Sequence, residues 1–384
     1  MKKIVYIWLL LVIIFPSFVF AENDDTELIK NATSGLLMEA STGEIIYEKD
    51  KDKEVAIASM TKMVAQLIIL EKIEQGNIKW GDIVTVSKNA SDMGGSQIYL
   101  STNEKMTIRD LFKGISMASA NDATVAMAEY ISGSENKFVK LMNERVKKLG
   151  LKNTVFKNST GLDEEGHFST ANDMAIIAKE LLKHKQILDF SGVYEDYLRV
   201  DTPNKFWLVN TNKLVRTYNG SDGLKTGHTD AAKYCIAATA KRDNMRLIAI
   251  VLGEETASTR NEEAAALLDY GFNTKKVEIL KSKDEVIKEV PIEKSTSKTI
   301  KISPKEDITI LTDKQNNKNN YETKIVLNKI KLPINKKQVV GKIDVYQNKK
   351  LIKTEKLISN NSAKKLTYLQ VLFNNLKNIT TGIM

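Results

Sequence analysis

Two patterns of apolar residues divide the chain near residue 273. Before that point, runs with helical spacing alternate with strand-like runs, which predicts an α+β domain with helices packed on an antiparallel sheet. The strand-like runs are 34–40, 45–48, 84–86, 223–228, 234–240 and 247–253. The helical runs are 58–70, 111–118, 123–131, 137–149, 169–182 and 262–270.

The segment from 274 to 358 lacks the helical period. Short runs that alternate apolar and polar residues begin at Thr299, Ile308, Lys324 and Lys342, and turns rich in Asn, Lys and Pro separate them. This pattern predicts a small all-β domain. Nothing in this segment suggests catalysis.

Helical spacing returns in the last segment, 359–384. Its apolar positions lie among lysines, at Leu366, Leu369, Leu372, Phe373, Leu376 and Ile379. The segment is too polar to span a bilayer, and the pattern predicts an amphipathic helix that anchors the chain to a membrane surface. A terminal helix docked on its own protein is the alternative.

The first residues of the chain have the features of a secretory signal peptide. A basic start, Met1-Lys2-Lys3, precedes an apolar run over 4–15, and a cleavage site is predicted after Ala21. An uncleaved anchor helix is the alternative, although the run is short for one. The predicted organisation is a signal peptide, an α+β domain, an all-β domain and a tail, over 1–21, 22–273, 274–358 and 359–384.

Composition and charge narrow the function classes. The chain has 384 residues, of which 42% are hydrophobic and 27% charged, and a formal net charge of +9. Its lysines are spread along the whole length, without an aromatic-interleaved basic patch, zinc-ligand spacing or a glycine-rich phosphate loop. The sequence therefore predicts no nucleic-acid partner, no metal and no cofactor. A basic exterior fits a polyanionic neighbourhood such as a membrane surface or cell wall.

Cys235 is the single cysteine and cannot form an internal disulfide. It lies in a strand-like apolar run, where a cysteine behaves as a small core residue. A cysteine nucleophile is therefore disfavoured.

A serine and a lysine three residues apart begin the apolar helix predicted over 58–70. Ser59 lies at its start, and Lys62 lies one turn later on the same face. A lysine is almost never fully buried without a partner, and burial lowers its pKa, which makes Lys62 a candidate base for the Ser59 hydroxyl. The alternative is a capping serine followed by a lysine that extends to the surface.

The S-x-x-K pattern is not specific by itself. Ser134 and Lys137 also match it, but they open an amphipathic run, so Ser134 is predicted to be a helix N-cap. The matches that begin at Ser295 and Ser362 lie in polar, lysine-rich surroundings typical of solvated pairs.

Two further segments carry groups that suit acyl transfer. Ser119 and Asn121 lie at a predicted break between helices, where a hydroxyl and an amide can point into a cleft. Lys225, Thr226 and Gly227 begin a strand-like run, which offers a cation, a hydroxyl and backbone N–H groups to an anionic peptide terminus.

In this order, the three segments resemble the S-x-x-K, S-D-N and K-T-G motifs of the penicillin-recognising serine acyl-transferases. Ser119-Ala120-Asn121 in place of S-D-N, Lys-Thr-Gly-His-Thr from Lys225 and Leu-Leu-Asp-Tyr-Gly-Phe over 267–272 are similar to low-molecular-mass penicillin-binding proteins, the D-alanyl-D-alanine carboxypeptidases. The resemblance covers nearly the whole chain. It implies a β-lactamase/transpeptidase-like catalytic fold, peptidoglycan stem peptides as substrate and β-lactams as covalent inhibitors.

The resemblance also implies a role for each motif residue. Ser59 would be the nucleophile, Lys62 the base and Ser119 a proton relay to the leaving D-alanine. The substrate would be bound by Asn121, Lys225, Thr226, Gly227, His228 and Arg260. Among these, Lys225 and Thr226 would bind the terminal carboxylate or tune the serine relay, and Arg260 would receive the carboxylate. The backbone N–H groups of Ser59 and His228 would form the oxyanion hole.

Several alternatives share this site. A D,D-endopeptidase or transpeptidase would differ only in leaving group or acceptor, and a non-catalytic wall-binding protein could retain the fold. A β-lactamase is a third alternative, but Asp163, Glu164 and Glu165 look like a solvated turn. We therefore expect penicillin to acylate Ser59 and leave slowly.

Two expectations remain. His167 and His184 are interpreted as surface or packing residues. The signal peptide and tail together predict a chain secreted across the bacterial cytoplasmic membrane and held on its outer face, near the cell wall.

Overall fold

The computed structural model describes residues 27–315 and 320–372. The signal peptide predicted over 1–21 and the part of the predicted tail beyond residue 372 lie outside the described residues.

Strands occur along the whole described chain. In chain order they are β1 (Ser34–Glu39), β2 (Ile45–Lys49), β3 (Ile83–Thr85), β4 (Lys105–Thr107), β5 (Glu195–Leu198), β6 (Phe206–Val209), β7 (Ser221–Thr229), β8 (Lys233–Arg242), β9 (Met245–Glu254), β10 (Lys275–Lys281), β11 (Lys288–Pro291), β12 (Thr299–Pro304), β13 (Ile308–Asp313), β14 (Tyr321–Leu327), β15 (Val339–Gln347) and β16 (Lys350–Ser359).

The main helices all precede β10. They are α1 (Lys62–Glu74), α2 (Lys88–Ser91), α3 (Ile108–Lys113), α4 (Asn121–Ser132), α5 (Glu135–Lys148), α6 (Ala171–Leu181), α7 (Leu188–Ser191), α8 (Leu214–Thr217) and α9 (Ala257–Thr274). Three shorter helical elements are not α-helical: a 3₁₀ turn over Ala58–Thr61, a π-helical segment over Gly114–Ala118 and a second 3₁₀ turn over Lys185–Ile187.

A five-stranded antiparallel sheet in the order β2-β1-β9-β8-β7 forms the centre of the first part of the chain. Its central strand β9 is apolar on both faces because both are covered. Ile248 and Ile250 pack in the core that contains α1, whereas Ala249 and Val251 pack in the core that contains α9. The predicted hairpin of β1 and β2 and the predicted α+β class are confirmed.

Helix α1 crosses the interior of this part of the molecule. Every residue from Lys62 to Leu70 is buried, as expected for a helix that is apolar nearly all round. Because the 3₁₀ turn precedes it directly, Ser59 is fixed at the end of a rigid, buried element.

The second part of the chain is all-β. A five-stranded sheet in the order β11-β12-β16-β15-β14 encloses a small core that includes Ile302, Ile343 and Leu357. Strands β10 and β13 form a separate pair, and Leu311 of β13 packs in the same core as α9. The all-β character of this segment agrees with its alternating pattern.

The structure corrects three helix boundaries. The helix predicted over 58–70 begins with a 3₁₀ turn, and the one predicted over 111–118 widens into the π-helical segment after Lys113. The helix predicted over 262–270 begins earlier, at Ala257, because Thr256 caps it. Arg260, which precedes the run predicted over 262–270, therefore lies inside the first turn of α9.

Helices in the described part of the chain do not reach the length and apolarity needed to cross a membrane. At its end, residues 368–372 are helical and leave the side chains of Tyr368, Leu369 and Leu372 exposed.

Candidate active site

Ser59 and Lys62 form a direct hydrogen-bonded pair. The Lys62 amine donates to Ser59 Oγ over 2.7 Å and to the carbonyl oxygen of Thr160 over 2.6 Å. The side chain of Lys62 is completely buried, so the alternative of a lysine that extends to the surface is wrong. Ser59 itself is half-buried, which leaves its hydroxyl accessible from one side.

The surroundings of Lys62 favour its neutral form. Burial lowers its pKa well below the usual 10.5, and the nearby charge of Lys225 lowers it further, while Asp122 acts in the opposite direction. A neutral amine has a lone pair, so the 2.7 Å contact can carry the proton of Ser59 to Lys62.

Asp122 is a buried carboxylate that the sequence analysis missed. It accepts hydrogen bonds from the backbone N–H groups of Ile98, Leu100 and Ala123, at 3.1, 3.0 and 2.8 Å. It lies in the first turn of α4, where an acidic residue is favoured by the helix dipole. That first-turn position next to Asn121 was the available signal.

Ser119 and Lys225 meet from two distant elements. Ser119 follows the π-helical segment in a left-handed conformation, φ 62°, and Lys225 lies in the edge strand β7. The Lys225 amine donates to Ser119 Oγ over 2.9 Å and to the carbonyl of Thr226 over 2.8 Å. Burial, with the charge of Arg260 acting in the same direction, lowers the pKa of Lys225 to about 7.

Strand β7 approaches the nucleophile turn very closely at Gly227. A Cβ atom there would lie 2.7 Å from the carbonyl oxygen of Ile57 and 3.2 Å from the nitrogen of Ser59. Only glycine fits this approach. The imidazole of His228 is exposed and stacks on Tyr234, with ring centroids 4.1 Å apart.

The Thr226 side chain is held by Thr211, a residue that belongs to none of the sequence motifs. Its hydroxyl donates to Thr211 Oγ1 over 2.8 Å, and the Thr211 N–H donates to the carbonyl of Met117 over 3.0 Å. This chain of contacts joins β7 to the π-helical segment that precedes Ser119.

Asn121 begins helix α4 beside Ser119. Its amide Nδ2 donates to the carbonyl of Gly94 over 2.8 Å, and its backbone N–H donates to the carbonyl of Ser96 over 2.7 Å. The buried Oδ1 has no hydrogen-bond partner among the described residues, so it remains an available acceptor beside the cluster.

Arg260 is not hydrogen-bonded to this cluster. In the part of the chain that the structure describes, its hydrogen bonds go to the carbonyl of Cys235 at 3.5 Å and to Asn261 Oδ1 at 3.2 and 2.9 Å. Its effect on the pKa of Lys225 nevertheless places its charge within electrostatic range of the cluster. Cys235 is buried, as expected of a core residue, and burial raises its pKa to about 12.

A loop over residues 155–168 supplies the Thr160 carbonyl. Asn158 Oδ1 accepts from the N–H groups of Thr160 and Gly161, at 3.3 and 2.7 Å, which fixes the turn. Gly161 has φ 85°, and a Cβ atom on it would lie 1.9 Å from the carbonyl oxygen of Ala58. The side chains of Asp163, Glu164 and Glu165 are exposed, as predicted.

The remaining sequence predictions concern histidines and metals. His167 and His184 are both buried, so they are packing residues and not surface residues. Within residues 27–315 and 320–372, no group of three or more His, Cys, Asp and Glu side chains could hold a metal ion.

Two family models match the chain. Residues 21–256 match the D-alanyl-D-alanine carboxypeptidase family, and residues 272–365 match the C-terminal domain of penicillin-binding protein 5. The chain is 50% identical over 281 residues to the D-alanyl-D-alanine carboxypeptidase DacF of Bacillus subtilis (strain 168), an alignment that covers 72% of each protein.

Two solved structures are similar to the fold. Penicillin-binding protein 5 from Haemophilus influenzae has a TM-score of 0.71 and 30% sequence identity, over 87% of this chain and 98% of that one. Penicillin-binding protein D2 from Listeria monocytogenes, in its ampicillin-bound form, has a TM-score of 0.57 and 31% identity, over 63% of this chain and 97% of that one.

Proposed function

Because the chain belongs to the D-alanyl-D-alanine carboxypeptidase family, as its motifs indicated, we propose that it is a serine-type D-Ala-D-Ala carboxypeptidase. It removes the terminal D-alanine from peptidoglycan stem pentapeptides. The observation that carries this proposal is the 2.7 Å contact between the Ser59 hydroxyl and the fully buried amine of Lys62.

Acylation begins at Ser59. Its Oγ attacks the carbonyl carbon of the D-Ala–D-Ala bond while neutral Lys62 takes the hydroxyl proton. The backbone N–H groups of Ser59 and His228 stabilise the oxyanion, which requires the close approach at Gly227. The C–N bond then breaks, and the departing amine takes the proton held by Lys62 through Ser119, which leaves Lys62 neutral.

Deacylation returns the enzyme to its starting state. A water molecule attacks the Ser59 ester, and Lys62 accepts one of its protons. As the C–O bond to Ser59 breaks, Lys62 passes that proton to Ser59 Oγ, and the released peptide acid loses its remaining proton to solvent and becomes a carboxylate. Asn121 is proposed to hold the amine of Lys62 and the substrate amide, because its Oδ1 is free and lies beside the cluster.

The leaving D-alanine is recognised by its carboxylate. Lys225 and Thr226 lie together on β7, next to Ser119, and Arg260 adds positive charge nearby. Burial disfavours the charged form of Lys225 when no counterion is present. An incoming carboxylate supplies that counterion and therefore favours the charged form.

Release of D-alanine from a diacylated Lys-D-Ala-D-Ala peptide tests this function. We expect release by the wild type, inhibition by penicillin and no release by Ser59→Ala. Ser134→Ala is the matched control, because Ser134 belongs to a second S-x-x-K match but only caps α5. Release by Ser59→Ala at the wild-type rate would overturn the proposal and favour a non-catalytic role for Ser59.

β-Lactams are proposed to be covalent inhibitors that hydrolyse slowly. Asp163 accepts hydrogen bonds from Thr229 and Ala231 at the surface, and Glu164 and Glu165 are exposed, so none is held over the Ser59 ester. A fluorescent penicillin should stay on the protein for many minutes. Rapid loss of the label would identify a β-lactamase, and peptide transfer to an added amine would identify a transpeptidase.

We also propose that the catalytic unit spans 22–273 and that the all-β domain spans 274–358. The separate five-stranded sheets, and the core of the second part that includes Ile302, Ile343 and Leu357, support this division. Limited proteolysis should cut first between them, and cutting within β8 or β9 would contradict it.

For location, we propose secretion by the signal peptide 1–21 and attachment to the outer face of the membrane by the tail 359–384. The exposed apolar side chains of Tyr368, Leu369 and Leu372 support the second step. The full chain should sediment with anionic lipid vesicles, whereas a chain that ends at residue 358 should stay in solution.

A further inference from the structure

We propose that His167 is a positioning residue, which holds the turn that carries Ser59 through a hydrogen bond to Thr61. The inference rests on the proposed function in one respect, namely that Ser59 is the nucleophile. His167 belongs to none of the motifs that predicted the site.

The hydrogen bonds of His167 define its tautomer. Its Nε2 lies 2.8 Å from Thr61 Oγ1, and its Nδ1 lies 3.2 Å from the backbone nitrogen of Lys157. A backbone N–H can only donate, so Nδ1 accepts and Nε2 carries the proton. Nε2 therefore donates to the hydroxyl of Thr61.

The ring is held in this neutral state by its surroundings. His167 is only 7% exposed, and its ring packs against the edge of Phe156 with centroids 5.6 Å apart. Burial lowers its pKa to about 4; Lys157 and Lys62 act in the same direction, and Glu164 and Asp163 oppose it.

Thr61 links this histidine to the nucleophile. It is completely buried and ends the 3₁₀ turn over Ala58–Thr61, between Ser59 and Lys62. Within the described residues the Thr61 side chain makes no other hydrogen bond, so His167 is its anchor.

The same loop holds the turn at both ends. Gly161 lies against the carbonyl of Ala58, and His167 binds Thr61. The loop is closed by the backbone pair of Val155 and Phe168, with N–H···O distances of 3.0 and 3.1 Å. The turn is thus clamped by one compact loop.

This loop also carries the acceptor for Lys62. The carbonyl of Thr160 binds the Lys62 amine at 2.6 Å and lies 3.5 Å from Ser59 Oγ. His167 therefore fixes the serine-bearing turn relative to the group that orients the lysine. Small displacements of reacting groups are costly in rate, about 100-fold for 1 Å.

The main test compares two substitutions of His167. His167→Phe keeps an aromatic ring but cannot donate to Thr61, and we expect acylation of Ser59 by a fluorescent penicillin to slow by about 10- to 100-fold. His167→Gln retains an N–H donor of similar reach and should recover most of the rate. His184→Phe is the matched control, since it alters the other buried histidine, and it should acylate like the wild type.

Thr61→Val separates positioning from a general loss of stability. If the hydrogen bond is what matters, Thr61→Val slows acylation, and His167→Phe added to it slows acylation little further. Rates are measured well below the melting temperature of each variant. Should His167→Phe fail to fold, Thr61→Val and His167→Gln carry the comparison.

The outcomes are distinct. Wild-type acylation by His167→Phe, no recovery in folded His167→Gln, or additive effects with Thr61→Val would each overturn the inference. An absence of any adduct on Ser59 in the wild type would instead overturn the proposed function, and the inference with it.

Discussion

Lys225 donates a hydrogen bond to Ser119 over 2.9 Å, and this contact joins strand β7 to the end of the π-helical segment. The two lysines differ in their partners, because Lys62 is bound by Ser59 and the Thr160 carbonyl, whereas Lys225 is bound by Ser119 and the Thr226 carbonyl. The charge of Lys225 lowers the pKa of Lys62, so the two buried amines interact. One can therefore be charged while the other is neutral.

The pH dependence of kcat/KM should therefore be bell-shaped. The rate rises with pH as Lys62 loses its proton and becomes a base. It falls above about pH 7, where free Lys225 loses the charge that binds the substrate carboxylate. In Lys225→Arg, the guanidinium stays charged, so the descending limb should move to higher pH. An unchanged descending limb in a folded Lys225→Arg would contradict this assignment.

Removing the amine of Lys62 should abolish most acylation without unfolding the protein. In Lys62→Met, the apolar side chain suits the buried site, but no base remains, and acylation should fall by about 10²- to 10⁴-fold. Lys137→Met, at the exposed lysine of the second S-x-x-K match, is the control and should keep the wild-type rate. The measurement is the rate of penicillin labelling; equal rates in the two variants would refute a role for Lys62.

Gly161→Ala should destabilise the protein and slow acylation. The new Cβ would lie 1.9 Å from the carbonyl oxygen of Ala58, at a φ of 85°, so the cost should be about 3 kcal/mol or more. Gly133→Ala is matched in φ, 78°, but has open space, so it should cost only about 1–2 kcal/mol. Urea unfolding gives both values. Similar losses in the free energy of unfolding for the two variants would contradict this prediction. They would show that the structure shifts enough to relieve the contact between the new Cβ and Ala58.

A buried pair of glutamates should make stability depend on pH. Both carboxylate oxygens of Glu254 and Oε2 of Glu263 lack hydrogen-bond partners within the described chain, while Glu263 Oε1 binds the N–H groups of Lys30 and Asn31. Burial, together with the neighbouring carboxylate of Glu263, raises the pKa of Glu254 to about 7. A protonated Glu254 can thus donate to Glu263.

Because the pKa of Glu254 is raised in the folded state, its proton contributes to the free energy of unfolding. That contribution is complete below about pH 4.5 and is lost as the pH rises through about 7. Glu254→Gln donates at every pH, so its melting temperature should exceed that of the wild type increasingly from pH 5 to 8. Exposed Glu255→Gln is the control. A constant difference across this range would contradict the shared proton.

The sequence was sufficient for the elements that carry apolar periodicity and for the side chains in motifs. Helix α1, the β1–β2 hairpin and the pairing of Ser59 with Lys62 follow from residue type and spacing. The meeting of Ser119 with Lys225 was implied by the family resemblance. The assignment of Ser134 as an N-cap is confirmed, because its hydroxyl accepts the N–H of Lys137.

Groups that act through the backbone could not be predicted in this way. The Thr160 carbonyl reaches Lys62 across 98 residues of sequence, and a carbonyl is present at every position, so no residue type marks it. The π-helical segment has an apolar pattern that also fits an α-helix, so only the structure shows the left-handed Ser119 that follows it. The early start of α9 could not be predicted from apolar spacing, because the first turn, which Thr256 caps, is polar.

The contact between Lys62 and the Thr160 carbonyl forms only when the chain folds, so the reactivity of Ser59 depends on folding. The pKa of a lysine amine is lowered in this way only where water is excluded. Excluding water from Lys62 requires segments far apart in sequence to come together. A newly made chain therefore carries an ordinary, unreactive serine until it folds. Covalent capture of penicillin counts only those molecules that have reached the native state.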